Sequence, residues 1–442
     1  MCAEGIDRIP PTQAGEQLAW YLRMLARPGP EFVAGEKQRF VPELIRQYAS
    51  RSDEERLESW KGFSASMGAF EVISVDEATD AVASITLKTA KDRQWRLSLR
   101  VEEQPPHRIA ALNWQRIYDF DVSAREAVEA DGPALSDIER RCPIVLGDKS
   151  IAIDRGEDYF AFSRLMEDPA VGIAFVDGTP AAAICWALHR VRVGGVEHPV
   201  LTGVHLRVLP EHQRKGLWGA ANKILEKYAG KYNATRAFPS VNNAAMLHGF
   251  RDTPNRWSLH AMRAQLPCAS IAGPRAGLAA TRADAARIVE ILNTTHDSEE
   301  MYLPYTVDSL VARLERAPKQ YSWDRMWMTD RAVVGVWPAG DTIRYLIESS
   351  GERTESRRGL VLDYGFLPGA EDEFEALLRG WCGWLADRGS DLLSIFTSEK
   401  SPGYQTLVNL AREVESFVLI TPGLAEPSDA SQRGFYIDAI YF

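Results

Sequence analysis

At 442 residues the chain is long enough for several domains, and a single hydrophobic core rarely extends over that length. Hydrophobic residues make up 45% and charged ones 25%, the balance of a globular protein, and a formal charge of −10 speaks against a dedicated binder of nucleic acid or of an anionic membrane. The sequence has no apolar run of bilayer-spanning length, and its start, MCAEGIDRIPPTQ, has neither the basic flank nor the apolar centre of a secretory leader.

Five cysteines (Cys2, Cys142, Cys185, Cys268 and Cys382) are odd in number and far apart, and the eight histidines show no HxH or HxxxH spacing. Reduced thiols, a cytoplasmic chain and no protein metal site are the expectation.

Residues 14–68 read as helical, with apolar positions three and four apart in AGEQLAWYLRMLA and FVPELIRQYA. Ser52 and Glu55 form a capping box ahead of RLESWKGF. From about residue 69 the period changes to two, and AFEVISVD, AVASITLKT, WRLSLRVEE and RIAALNWQRI read as strands. Helices followed by an antiparallel sheet make an α+β domain over 1–120. The stretch WRLSLRVEEQPPHRIAALNW resembles the cone-shaped NTF2-like family, whose members hold a small ligand or mediate dimerisation. That resemblance makes Trp95, His107 and Trp114 candidates to line a ligand site and a homodimer an expectation. In the alternative the tryptophans are core and His107 caps the Pro105-Pro106 turn.

A second start comes at 122. VSAREAVEADGPALSDIERR reads as strand, acidic loop and helix, followed by two apolar strands around Asp177-Gly178 and a further strand, HPVLTGVHLRVL. A turn and a helix running to about Tyr228 come next, then a short helix at NNAAMLHGF and a strand at RWSLHAMRAQL. From 277 the same order of elements recurs, beginning with GLAATRADAARIVEILNTTHDS. The turn-rich QLPCASIAGPRAG marks a boundary, giving domains 121–268 and 269–442.

The turn after HPVLTGVHLRVL carries the chemistry. A strand that ends in a loop and passes at once into a helix presents unsatisfied first-turn amides and the positive end of the helix dipole, a natural anion site. Gly216 removes a side chain where a phosphate would approach, Gly219 eases packing one turn on, and Arg214 and Lys215 add positive charge. Neither GxxxxGK[ST] nor GxGxxG with its later acidic residue is present.

Gln213-Arg214-Lys215-Gly216-Leu217 resembles the acyl-CoA loop of the GNAT (GCN5-related N-acetyltransferase) superfamily, [Q/R]xxGx[G/A]. Trp218 stands where that pattern has a small residue, and Gly219 follows one position later. The resemblance implies a mixed α/β chain in which an NTF2-like cone is followed by two GNAT-like mixed-sheet domains. Residues 213–219 would hold the pyrophosphate of acetyl-CoA or another acyl-CoA, Leu206 and Val208 would border its pantetheine arm, and Asn243 would complete the cofactor site. It further implies direct transfer to a small-molecule amine, with no metal, no nucleic acid and no membrane as partner.

His205, which with Thr202 faces either the core or the substrate cleft, is the candidate base. His248, in VNNAAMLHGF, stands where the family has a tyrosine acid, and Cys185 is expected only to pack. The later segment has the acidic LPGAEDEFEA where a CoA loop would be basic, which implies a degenerate second copy serving as scaffold. Aromatics in HDSEEMYLPYTVDSL and KQYSWDRMWM are either an acceptor-pocket wall or core. Asp297, Glu299 and Glu300 would suit a cationic amine or form a solvated face. A GNAT-fold decarboxylase or O-acyltransferase, and a non-catalytic acyl-CoA-binding module, are the alternative functions.

Overall fold

The computed structural model describes residues 3–46, 52–90, 93–146, 148–213, 215–236, 256–424, 426–427 and 433–441. The chain divides into two compact units, Met1–Asp121 and Val122–Phe442. The halves expected at 121–268 and 269–442 both fall within the second.

In the first unit, helices α1 (Gln13–Ala26), α2 (Pro30–Arg39), α3 (Pro42–Arg46) and α4 (Asp53–Met67) precede the sheet. At the start of α4, Ser52 Oγ accepts from the Glu55 amide at 3.2 Å and Glu55 Oε2 accepts from the Ser52 amide at 2.8 Å, the reciprocal bonding of a capping box. The sheet runs β1-β2-β3-β4-β5 (Ala3–Glu4, Phe70–Ala78, Val82–Thr89, Gln94–Val101, Ile109–Ile117). It is antiparallel except at β1, which pairs parallel to β2. Leu18, Leu22 and Leu25 of α1 pack on Ile85, Leu87, Leu97 and Leu99. Trp95 and Trp114 pack against this core edge to face, 6.1 Å apart. The ring of His107, which follows the cis Pro105-Pro106 bond, donates through Nδ1 to the Glu102 carbonyl at 3.0 Å. The two tryptophans are thus half-buried against the core rather than inside it, and His107 holds its turn.

Among the described residues the second unit holds two sheets. The first has the order β12-β11-β10-β9-β6, built from Ala234–Arg236, Val196–Val208, Thr179–Val193, Pro169–Val176 and Val122–Glu126. Its pairings are antiparallel apart from β11 with β12. Helix α5 (Gly132–Arg141) packs on one face and α6 (Leu217–Ala221) on the other. Strands β7 (Ile144–Leu146) and β8 (Lys149–Asp154) form a hairpin outside this sheet.

The second sheet contains β14 (Leu278–Ala279), β15 (Met326–Met328), β16 (Ala332–Trp337), β17 (Arg344–Ser349), β18 (Glu352–Phe366), β19 (Leu392–Thr397) and β20 (Glu413–Pro422). Strand β13 (Arg256–Pro267) arises in the earlier half yet lies between β19 and β20, antiparallel to both. The β7-β8 hairpin extends the same sheet through β17. The halves thus trade strands, an exchange that the period-two pattern of RWSLHAMRAQL does not encode. Helices α7 (Ala285–His296), α8 (Val307–Arg316), α9 (Glu371–Ala386) and α10 (Tyr404–Leu410) also belong to the unit.

The helix expected to reach Tyr228 is α-helical only over Leu217–Ala221 and tightens to a 3-10 helix over Asn222–Tyr228. Gly219 and Asn222 are both weak helix formers, so little in the local sequence sustains the wider turn.

Candidate functional site

Strand β11 is regular as far as Val204, which pairs with Cys185 of β10. The next pair joins Arg207 to Ala183, so His205 and Leu206 together oppose Ile184. This is a β-bulge, and its first residue, His205, has φ +54°. A bulge leaves one residue unpaired in the ladder and re-aims the backbone beside it. The described pairing between β11 and β12 covers only Val200–Thr202 with Ala234–Arg236, so β11 runs six residues past its last such partner.

The strand then enters the turn Leu209–Gly216. Gly216 sits at φ +79° immediately before α6, a conformation that favours glycine. Gln213 is exposed, and Lys215 Nζ donates to His212 Nδ1 at 3.1 Å. Leu206 and Val208 meet Leu217 and Ala221 around a small apolar cavity of about 10 Å³, floored by Gly172, Ala174 and Ala182–Ile184. The structure therefore gathers the expected pantetheine-side residues and the buried Leu217 under one helix. Gly219 departs from its expected packing role. It is exposed, and among the described residues a Cβ there would meet nothing within 4 Å, because this face of the short helix points away from the sheet. Arg214, Asn243 and His248 lie outside the described residues, as does the Trp218 side chain.

Beneath the bulge lies a polar cluster. Glu139 of α5 is fully buried and takes a bidentate ion pair from Arg155, with Nη2 at 3.2 Å; Arg207 stands 3.8 Å away. Burial opposes the Glu139 charge, but the two arginines outweigh it and hold the carboxyl at about 2. His205 is held well below the ordinary histidine range by burial, then by Arg155 and Arg207. Its ring meets Phe162 edge to face at 4.7 Å, and among the described residues its Nε2 has no hydrogen-bond partner. The Cys185 thiol is pushed up to about 12 by burial and serves packing.

On the same face of this sheet is a cavity of about 200 Å³. Arg236, which pairs across from Thr202, borders it. So does His189 of β10, whose Nε2 lies 2.8 Å from Thr202 Oγ1 and whose ring stacks on Tyr441 at 3.8 Å. Thr202 therefore faces inward. Tyr302 and Tyr305 form one wall, with Tyr436, Asp438 and Tyr441 from the C-terminal segment. Arg313 of α8 binds Asp438 through both terminal nitrogens, at 2.8 and 3.0 Å, and reaches Asp363 through Nε at 3.0 Å. Tyr305 and Tyr321 donate to Asp363, each at 2.8 Å.

A family profile described as ORF 12 gene product N-terminal matches residues 9–105, within the first unit. Among curated proteins none matches. Among solved structures, the N-myristoyltransferase of Saccharomyces cerevisiae with bound myristoyl-CoA is similar over 76% of this chain and 92% of its own, at 10% identity and a TM-score of 0.52. A second structure of that yeast enzyme with myristoyl-CoA aligns over 76% and 87%, with the same identity and TM-score. A GCN5-related N-acetyltransferase from Sphaerobacter thermophilus is similar over 68% of this chain and 95% of its own, at 13% identity and a TM-score of 0.38.

Over the aligned span the chain shares the fold of the yeast N-myristoyltransferase. Within this fold the sequence-picked residues divide. His205, Leu206, Val208, Lys215, Gly216 and Leu217 lie along one strand, turn and helix. The two wall hypotheses also divide. Met301–Tyr305 borders the cavity, whereas Tyr321, Met326 and Trp327 are core. Glu299 and Glu300 are buried rather than a solvated face. Glu299 contacts His296 and Ser401, and Glu300 accepts from the Gly194 amide at 2.8 Å.

Sequence reading passed over His189, Arg236 and Asp438. The one signal for the first is a histidine interrupting the apolar run AAAICWALHRV; the other two stand in segments whose local pattern is unremarkable.

Proposed function

We propose that the second unit is an acyl-CoA-dependent N-acyltransferase that transfers its acyl group directly to a small-molecule amine. The bulge at His205–Leu206, placed where β11 runs on beyond its described pairs with β12 and followed by the Gly216 turn, carries this reading. A thioester carbonyl needs a hydrogen-bond donor as charge develops on its oxygen, and a bulge supplies backbone groups freed from the ladder. The turn offers Lys215 and the first-turn amides of α6 to a pyrophosphate. The apolar residues Leu206, Val208 and Leu217 suit the pantetheine arm.

In the reaction the amine nitrogen attacks the thioester carbon, the C–N bond forms and the C–S bond breaks. The amine gives up a proton, and the CoA thiolate takes one up to leave as thiol. His205, neutral in its buried setting, is the proposed acceptor of the amine's proton; His248 is the proposed donor to the thiolate. The segment after β18 enters α9 on Glu371, Asp372 and Glu373, whose charges repel a pyrophosphate, so one CoA per chain is proposed.

Calorimetric titration with CoA tests the reading, with acetyl-CoA as the first donor in a thiol-release assay. The expected stoichiometry is one, and Gly216→Val is expected to abolish binding while circular dichroism stays unchanged. CoA failing to bind the unaltered protein would sink the proposal.

A further inference from the structure

One face of the second sheet packs toward the first, where Trp337, Tyr345, Leu360 and Phe396 join the core they share. Ser356 and Arg358 stand two residues apart on β18, and Ser394 of β19 pairs with Leu360, two residues further on. Alternation along the strands puts all three on that inner face. They are 8%, 6% and 3% exposed, yet Ser356 Oγ, Arg358 Nε and Ser394 Oγ have no hydrogen-bond partner among the described residues. Buried polar atoms are ordinarily paired, so three left open on one surface call for a partner from outside the chain.

Arg358 decides the charge of that partner. Its guanidinium lies over the Tyr345 ring at 4.1 Å, a contact that attracts the charge but offers its N–H donors no oxygen. The carboxylates of this face do not supply one. Glu415 takes Arg263 through Nε at 2.6 Å, and Glu413 is exposed. A single carboxylate matches a single guanidinium in charge and meets it with two parallel hydrogen bonds, which water cannot do. The way from Arg358 to the bulge gives the rest of the ligand. Trp337 of β16 pairs with Leu360 from the other side, and its ring meets Phe162 at 5.7 Å. Phe162 in turn meets the His205 ring at 4.7 Å. Aromatic rings therefore separate the guanidinium from the proposed base, and a molecule reaching both has its charge and its amine at opposite ends.

We infer that the acceptor is an amine with an apolar body and one carboxylate at its far end, held by Arg358 between Ser356 and Ser394. Trp337 and Phe162 flank the apolar body, and the amine lies at His205. This rests on the acyl-CoA reading and adds the acceptor class to it. The carboxylate takes no part in the bond changes given above. The product is an N-acyl amino acid whose new amide is remote from its acid group, with CoA leaving as thiol.

The test is calorimetric binding to the full chain saturated with CoA, comparing 8-aminooctanoate with octylamine, which has the same chain and amine but no carboxylate. 8-Aminooctanoate is expected to bind at least tenfold more tightly, although a net charge of −10 favours the more cationic ligand. Arg358→Met is expected to remove that advantage and leave the thermal shift produced by CoA alone unchanged. Should that variant not fold, Arg358→Lys, which keeps the charge and loses the paired donors, is expected to reduce the advantage. Equal binding of the two ligands, or binding of neither, overturns the inference while the CoA shift stands. An advantage undiminished in the folded variant overturns it too, leaving Arg358 a stacking group for Tyr345. Loss of the CoA shift in the unaltered protein overturns the acyl-CoA reading itself, and the inference with it.

Discussion

Glu139 illustrates how one side chain organises its surroundings. It has no exposed surface, yet it is ionised, because Arg155 and Arg207 supply two positive charges in a setting where water supplies none. Removing one partner of such a pair strands the other without solvent. Glu139→Gln is therefore expected to cost about 3–5 kcal/mol, read as a lower denaturant midpoint. Its stabilising effect is present above the ordinary carboxylate range and is lost only as pH falls toward about 2.

The histidines work at a different pH. Burial holds both His189 and His205 well below the ordinary value, with Arg236 adding to the effect at the first and Arg155 and Arg207 at the second. The unfolded chain takes up protons at these groups near pH ~6.5 and the folded chain does not, so folding stability falls as pH drops below about 6.5. The melting temperature is expected to decline between pH 7.5 and 5.5, and His189→Gln to flatten that decline. Residues with local meaning were readable in the sequence. Ser52 and Glu55 find each other within one turn, and Gly216 is demanded by the conformation of its own turn. Arg236 and Tyr441 acquire meaning only when distant segments meet.

At the scale of elements, β11 carries most of the proposed chemistry, and its neighbours protect its shape. Gly203 lies across from Trp186 of β10, and a Cβ there would come within 2.5 Å of the indole. The tryptophan ring covers the glycine, so Gly203→Ala has to displace a buried aromatic side chain. A loss of about 1–3 kcal/mol is expected, visible as a fall in melting temperature of a few degrees. An unchanged melting temperature would mean that the ring moves aside freely. The alternation in HPVLTGVHLRVL identifies the strand but not its bulge, because an extra residue in one strand is defined only against the partner that lacks it. The same reasoning covers α6, where the local sequence begins a helix and the long regular form does not persist.

For the whole second unit, the governing fact is the placement of β13. It makes ten paired positions with β20 and six with β19, all on strands from the later half. A fragment ending at residue 268 would leave this strand without either neighbour, and its unpaired edges would invite aggregation. Residues 122–268 expressed alone are expected to be insoluble or unfolded by circular dichroism, whereas residues 122–442 unfold in one cooperative step. A soluble, folded 122–268 fragment would show that the pairing is dispensable. The order of elements was legible along both halves because each strand and helix carries its own period. Their interleaving was not, since hydrophobic alternation specifies a buried face and says nothing about which sheet supplies the cover.

That shared strand also bears on how such a chain can change over generations. A half that folded on its own would ordinarily be free to decay or be cut from the gene. Here the earlier half's strand is lodged in the later half's sheet, so losing either strips the other of part of its core. Inheritance is forced to keep both, and mutations that would be neutral in an independent domain are filtered on behalf of its neighbour.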